Sequence, residues 1–269
     1  MSNYKNKKNA FVAMVVAIVL VVAAIAYVVF DEVSSVSKIF ENKNFSFAVS
    51  EMLGKAPAFV KQEDLDKIEY LEMSYDEASK SAFIALGDAE FVKLYNEYNA
   101  ASEAGEDVSS YDFTDKFLSA VFEYDAQSGD FLDDIKNFKN LDIVSATSVK
   151  FSSSSVFAEM TDLTDAYVGN CGLTEVEGFA NLNPDKITRL NLAGNDVADW
   201  SPLDYIKSKV IVKSYYTFIP TEDGTINFED MTLEQQTLEE YYTELAEKEA
   251  EEVEETTDVE VSEAVEDEK

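Results

Sequence analysis

The longest apolar stretch of the chain lies near its start. Residues 11–30 read FVAMVVAIVLVVAAIAYVVF and contain no charged side chain. An α-helix over this range is about 30 Å long, the thickness of the hydrocarbon core of a bilayer, so the pattern predicts a transmembrane helix. Three lysines precede the stretch and two acids follow it: Lys5, Lys7, Lys8, Asp31 and Glu32. The positive-inside rule then predicts a cytoplasmic basic N-terminus over 1–10, a stalk over 31–43 and an extracytoplasmic bulk.

A cleaved signal peptide is the alternative to an anchor. Ala24-Ile25-Ala26 fits the small-residue pattern of a cleavage site. The apolar run continues beyond it to Phe30, whereas the core of a signal peptide usually holds about 7–15 residues. We therefore predict a single-pass protein of the cell membrane, with secretion after signal cleavage as the alternative localisation.

A second pattern recurs in the middle of the chain. An apolar residue is followed at three residues by an apolar-x-apolar pair, and a polar or small residue comes three positions later. The clearest copy is 187–203 (ITRLNLAGNDVADWSPL), and an earlier copy is 163–176 (LTDAYVGNCGLTEV). Val168 and Leu192 are 24 residues apart, inside the period of about 20–29 residues of leucine-rich repeats. Each apolar pair is expected to form a strand that is buried between stacked coils.

Looser copies extend the pattern in both directions. Candidate strands are 71–73, 122–124, 149–151 and 210–212. The copy at 149–151 precedes the next strand by 17 residues, so the repeats are irregular. Residues 78–120 are either a helical insertion or distorted repeats, and the helical spacing of 88–99 (DAEFVKLYNEYN) favours a helix there.

The start of the repeat region has the features of a cap. Phe45 to Leu53 shows helical apolar spacing, Gly54 follows as a C-terminal cap residue, and 64–68 (DLDKI) leads into a strand. Together with the two clear repeats, this stretch resembles bacterial leucine-rich-repeat proteins of the internalin-like type. The resemblance implies an α/β fold, a short irregular leucine-rich-repeat solenoid over 44–220 with an N-terminal helical cap.

The composition changes again near the C-terminus. Thr232-Leu-Glu-Gln235 fits a capping box, and the apolar spacing after it predicts a helix to about residue 249. Residues 251–269 are too acidic and too poor in large apolar groups to bury a core. We predict that 221–269 form an acidic helix and a disordered tail.

Charge narrows the classes of function. The net charge is −33, with 54 acidic against 21 basic residues. This argues against a nucleic-acid partner, because phosphate binding needs a basic surface. The chain has no histidine, and it shows no GxSxG motif, glycine-rich phosphate loop or metal-ligand cluster. We therefore predict a protein that is not an enzyme and needs no cofactor. Cys171, the lone cysteine, is expected to be a small buried residue.

The candidate binding surface is the face of the strands that points away from the buried leucines. This concave face is expected to present Glu72, Glu123, Lys150, Tyr167, Asn191 and Ile211, flanked by Asp165, Arg189 and Lys213. An aromatic side chain beside the chain's one arginine suits a protein partner. The leading hypothesis is a membrane-anchored, extracytoplasmic protein that mediates protein–protein interaction or adhesion through this face. The alternative is that the acidic tail binds cations or a basic partner and the repeats are a spacer.

Overall fold

One sheet organises the molecule. The structure, a computed structural model, describes residues 39–123, 130–151, 153–217, 232–248 and 250. Its strands are β1 (Tyr70–Asp76), β2 (Ser81–Gly87), β3 (Leu118–Glu123), β4 (Ile143–Thr147), β5 (Asp165–Gly169), β6 (Arg189–Asn191), β7 (Val210–Thr217) and β8 (Thr232–Thr237). Within the described ranges these eight strands form one sheet in the order β3-β2-β1-β4-β5-β6-β7-β8.

Short helices accompany the strands. The α-helices are α1 (Lys43–Met52), α2 (Gln62–Leu65), α3 (Ala89–Glu103), α4 (Asp130–Asp133) and a C-terminal helix over 238–248. The 3₁₀ helices are Pro57–Phe59, Asp134–Asn137, Ser154–Phe157, Glu177–Phe179 and Ser201–Lys209. The predicted membrane segment 11–30 lies outside the described residues. Among the helices of the described ranges, none has both the length and the apolar character that crossing a bilayer requires.

Strands β1, β4, β5, β6 and β7 pair in parallel and carry the repeats. Each connection from β4 to β7 passes through a 3₁₀ helix that packs on the main core. The rings of Phe157 and Phe179, from successive 3₁₀ helices, stack with their centroids 4.7 Å apart. The core-facing strand residues, such as Leu190 and Leu192, are fully buried. This strand–turn–3₁₀ coil is the architecture of a leucine-rich-repeat solenoid.

Asn195 joins two neighbouring coils. Its side-chain amide donates hydrogen bonds to the carbonyls of Val168 (2.7 Å) and Leu192 (2.8 Å). Its side-chain oxygen accepts from the backbone N–H groups of Cys171 and Leu173, both at 3.0 Å. Because a buried turn leaves such backbone groups without strand partners, one asparagine side chain stabilises the turns of two repeats.

Cys171 is the small buried residue that the sequence predicted. Its thiol lies 3.3 Å from the carbonyl oxygens of Ala146 and Gly169, to which it can donate. Burial raises the pKa of the thiol to about 12, so it is not a reactive thiolate at neutral pH.

A second polar link joins the 3₁₀ helices of successive coils. The hydroxyl groups of Ser154 and Ser153 donate to the two oxygens of Glu175 at 2.7 and 2.9 Å, and the N–H of Gly178 donates to the Ser154 hydroxyl at 2.8 Å. Partial burial raises the pKa of Glu175, but the hydrogen bonds outweigh it and lower that pKa to about 2. The carboxylate is therefore ionised in the folded protein over the physiological pH range.

Helix α1 caps the N-terminal end of the core. Its N-cap residue is Asn42, whose side chain accepts from the N–H of Phe45, and Gly54 ends the turn after it with a φ of +63°. The ring of Phe45 is fully buried. Buried Asp134 accepts the N–H groups of Glu41 and Asn42 at 2.8 Å each, which ties the start of the helix to the core.

The stretch 78–120 is an insertion between β1 and β4. It supplies β2, α3 and the first half of β3. Strands β2 and β3 pair antiparallel and extend the sheet beyond β1. The N-cap residue of helix α3 is Asp88, whose carboxylate accepts the N–H groups of Glu90 and Phe91. Residues 122 and 123 of the strand predicted at 122–124 belong to this edge hairpin and not to a repeat strand, and residue 124 lies outside the described residues.

The strand predicted at 149–151 is wrong. The repeat strand is β4, and it pairs with β5 at a spacing of 22 residues, not 17. Val149 and Phe151 are buried, but Val149 occupies the turn position that Cys171 and Asn195 occupy in the following coils. The coils of β4 and β5 each contain two apolar-x-apolar pairs, one in the strand and one after it. Alternation alone cannot distinguish the two.

The C-terminal segment completes the sheet. Strand β8 pairs antiparallel with β7, so residues 232–237 are extended and the capping box predicted at 232–235 is wrong. The helix begins after Thr237, whose N–H donates to the Glu240 carboxylate at 2.8 Å while its hydroxyl accepts the Glu240 N–H at 3.3 Å. Leu238 is fully buried against the core. The predicted tail, 251–269, lies outside the described residues.

Candidate functional site

Parallel pairing lines up one row of side chains across the concave face. The register places Glu72, Ser145, Tyr167, Asn191 and Ile211 on adjacent strands from β1 to β7. Neighbouring strands are about 4.8 Å apart, so this row is roughly 19 Å long. Ser145 stands in the row where the sequence had placed Lys150.

Helix α3 covers one end of this face. Tyr70 and Ile143, which point away from the main core, are buried in a separate apolar cluster with Phe91 and Val92 of α3. The ring of Tyr70 lies 4.6 Å from that of Phe91 and 5.6 Å from that of Tyr95. Here the sheet has a core on both sides, which buries Tyr70 and Ile143, whereas Glu72 and Ser145, two residues further along the same strands, are half-buried.

Arg189 is already engaged on the concave face. Its Nη2 and Nε donate to the two carboxylate oxygens of Asp165 at 2.6 and 3.3 Å, a bidentate pair on adjacent strands. The hydrogen bond to Asp165 raises the pKa of Arg189, and the charges of Asp165, Tyr95 and Glu103 add to this. The arginine predicted as a partner contact therefore stabilises the face internally, beside α3.

Lys213 is also engaged. Its Nζ lies 3.6 Å from the Glu244 carboxylate and 5.1 Å from the centre of the Tyr241 ring, both on the C-terminal helix. Lys213 therefore links β7 to this helix through both contacts.

Tyr167 is the aromatic side chain that the row presents to solvent, with 38% of its surface exposed. Its ring lies against Gly169, where a Cβ would stand 3.2 Å from the ring. Gly169 thus leaves room for this ring position. On β4 the neighbouring outward residues are small, Ser145 and Thr147, which keeps the ring accessible from that side.

Glu72 is oriented by Tyr70, whose ring packs against α3. One of its carboxylate oxygens accepts the hydroxyl of Tyr70 at 2.9 Å. Burial, followed by the charge of Glu72, raises the pKa of the Tyr70 phenol, so Tyr70 remains a neutral donor. The aromatic contacts of α3 fix Tyr70, and Tyr70 in turn orients Glu72.

Four of the predicted contact residues lie elsewhere or are buried. Ile211 on β7 is one of them, with 7% of its surface exposed. Asn191 is buried, and its side-chain oxygen accepts the N–H of Ala193 at 3.1 Å, so it shapes the turn after β6. Glu123 ends the edge strand β3, away from the central row. Lys150 lies in the turn after β4, because that strand begins earlier than predicted.

The sequence missed two parts of this face. Ser145 and Thr147 were assigned no role, since the register of β4 was misplaced by one apolar pair. The packing of α3 on the sheet was missed as well, although the aromatic residues of 88–99 were visible. Among the described residues, no three His, Cys, Asp or Glu side chains are grouped so that they could hold a metal ion.

The fold and its concave face define a protein of the leucine-rich-repeat class. Among solved structures, the chain is similar to the internalin InlF from Listeria monocytogenes strain 4b F2365, with 19% identity and a TM-score of 0.36. The match covers 63% of this chain and 35% of that one, so this chain matches about a third of the internalin's length. No family model and no curated protein matches the sequence.

Proposed function

We propose that this chain is a binding protein that engages a protein partner on its concave face. The observation that carries the proposal is the exposed ring of Tyr167 in the strand row between α3 and β7. Strands β4 to β7 span roughly 14 Å, enough for one helix or two extended segments. Aromatic side chains with solvent access are frequent anchors of protein interfaces.

A pair of matched arginine substitutions tests this proposal. Thr147→Arg places a bulky side chain on the concave face beside Tyr167, and Ser155→Arg places the same side chain on the exposed surface of a 3₁₀ helix. We expect a protein captured from an envelope extract by the wild-type chain to be retained by Ser155→Arg and lost with Thr147→Arg. Equal retention by both variants would refute binding at the concave face. A chain ending at residue 250 separates this from capture by the acidic tail.

We also propose that residues 11–30 anchor the chain in a cell membrane with its bulk outside the cytoplasm. The uncharged apolar run and the lysines before it support this assignment. The intact mass of the protein in the membrane fraction tests it, because the uncleaved chain has a mass of 30.0 kDa. A released form that lacks the first 24–26 residues would instead establish a cleaved signal peptide.

A further inference from the structure

The concave face offers few free positive charges to a partner. Among the described residues, its cations Arg189 and Lys213 are both paired, with Asp165 at 2.6 Å and Glu244 at 3.6 Å. An acidic partner would have to break one of these pairs to gain a counter-ion. Breaking the bidentate pair would also leave a partly buried carboxylate uncompensated.

The face does offer carboxylates. Within the part of the chain that the structure describes, no lysine or arginine lies within ion-pair distance of Glu72 or of Glu103 on α3. Glu72 is also preoriented, because the Tyr70 hydroxyl occupies one of its oxygens at 2.9 Å and Tyr70 is packed under α3. A preoriented carboxylate loses little side-chain freedom when it binds a cation.

The exposed ring of Tyr167 can also bind a cationic side chain. The face of a tyrosine ring attracts an ammonium or guanidinium group within about 6 Å, and a ring can also pack along the aliphatic stem of lysine or arginine. In the register, Glu72 and Tyr167 are separated by the single small residue Ser145. One basic segment lying across β1, β4 and β5 can therefore contact both.

We infer that the partner presents a lysine- or arginine-bearing segment to the concave face, across Glu72, Ser145 and Tyr167. This inference rests on the proposed function and specifies the chemistry of its partner. The net charge of −33 acts in the same direction at long range, because it attracts cationic proteins and repels acidic ones.

The test uses the full chain in a non-ionic detergent and a tetralysine peptide that carries a photoactivatable benzophenone. A tetraglutamate peptide with the same label is the charge control. We expect mapped cross-links on β4 and β5 with tetralysine alone. Glu72→Gln, which keeps an acceptor for Tyr70, should lower that cross-linking about two- to fivefold, and Tyr167→Leu should lower it by a similar factor. Glu159→Gln, an exposed acid beyond the 3₁₀ helix on the other side of the core, should leave it unchanged.

The outcomes separate this inference from the proposed function. Cross-links confined to other acidic segments, or an equal response of Glu72→Gln and Glu159→Gln, would overturn the basic-segment inference. Loss of the captured protein in Thr147→Arg would still uphold the concave-face proposal in that case. Retention of the captured protein by Thr147→Arg would overturn both.

Discussion

Replacing Asn195 by alanine should destabilise the protein more than any other single polar truncation that we propose. The substitution removes four hydrogen bonds of 2.7–3.0 Å that join two coils. A typical internal hydrogen bond contributes about 1 kcal/mol net, and a buried group left unpaired costs about 1–3 kcal/mol. We therefore expect a loss of about 4 kcal/mol in the free energy of unfolding. For a domain of this size, that corresponds to a melting temperature lower by roughly 8–16 °C.

The measurement is thermal and urea unfolding of the full chain in a non-ionic detergent, followed by far-UV circular dichroism. Asn140→Ala is the matched control, because Asn140 makes a single exposed hydrogen bond, to the carbonyl of Asp66 at 2.9 Å. It should cost about 1 kcal/mol or less. If Asn195→Ala costs no more than Asn140→Ala, the reasoning that one side chain supports two coils is refuted.

Three further predictions concern the core and its polar links. Leu192→Ala should cost about 2–5 kcal/mol in urea unfolding, whereas Tyr216→Ala, at a position 60% exposed, should change stability by about 0.5 kcal/mol or less. Gly178→Ala should cost about 1–3 kcal/mol or more, because the added Cβ would overlap the carbonyl oxygen of Ser154; an unchanged melting temperature would contradict this packing. The stability that Glu175 contributes should be complete above pH 4.5 and decline as the pH falls toward 2, since its folded pKa is lowered. Glu175→Gln should therefore reduce the pH dependence of the free energy of unfolding across that interval. Parallel pH profiles of the wild type and the variant would refute this contribution of Glu175.

The repeat pattern was readable from sequence because its signals are local. The spacing from Ile187 through Leu190 and Leu192 to Asn195 carries the strand, the turn and the asparagine in nine consecutive residues. Those positions are fixed by which side chains must be buried within one coil. The predicted position of β4 is wrong for the same local reason. The pair Val149 and Phe151 is as apolar as the strand pair Val144 and Ala146 before it.

The packing of α3 could not be read in this way. Its helical spacing was visible, but the partner of its apolar face is Tyr70 on β1 and Ile143 on β4, far apart along the chain. Period-two alternation along β1 and β4 puts both residues on the face opposite the main core, where a strand pattern alone indicates exposure. A residue that points away from the main core can still be buried when an insertion folds over it, and no local pattern reports that contact.

The same argument decides which side chains remain for a partner. Alternation correctly places Arg189 and Lys213 on the concave face, yet each is paired with a carboxylate that comes from another coil or from the C-terminal helix. Because acidic side chains far outnumber basic ones in this chain, its one arginine pairs with a carboxylate of the same chain. The unpaired groups of such a face are then acids and aromatic rings, here Glu72 and Tyr167. In an acidic repeat protein, the cations that stand out in the sequence are therefore weak candidates for partner contacts, and the preoriented carboxylates beside exposed rings are stronger ones.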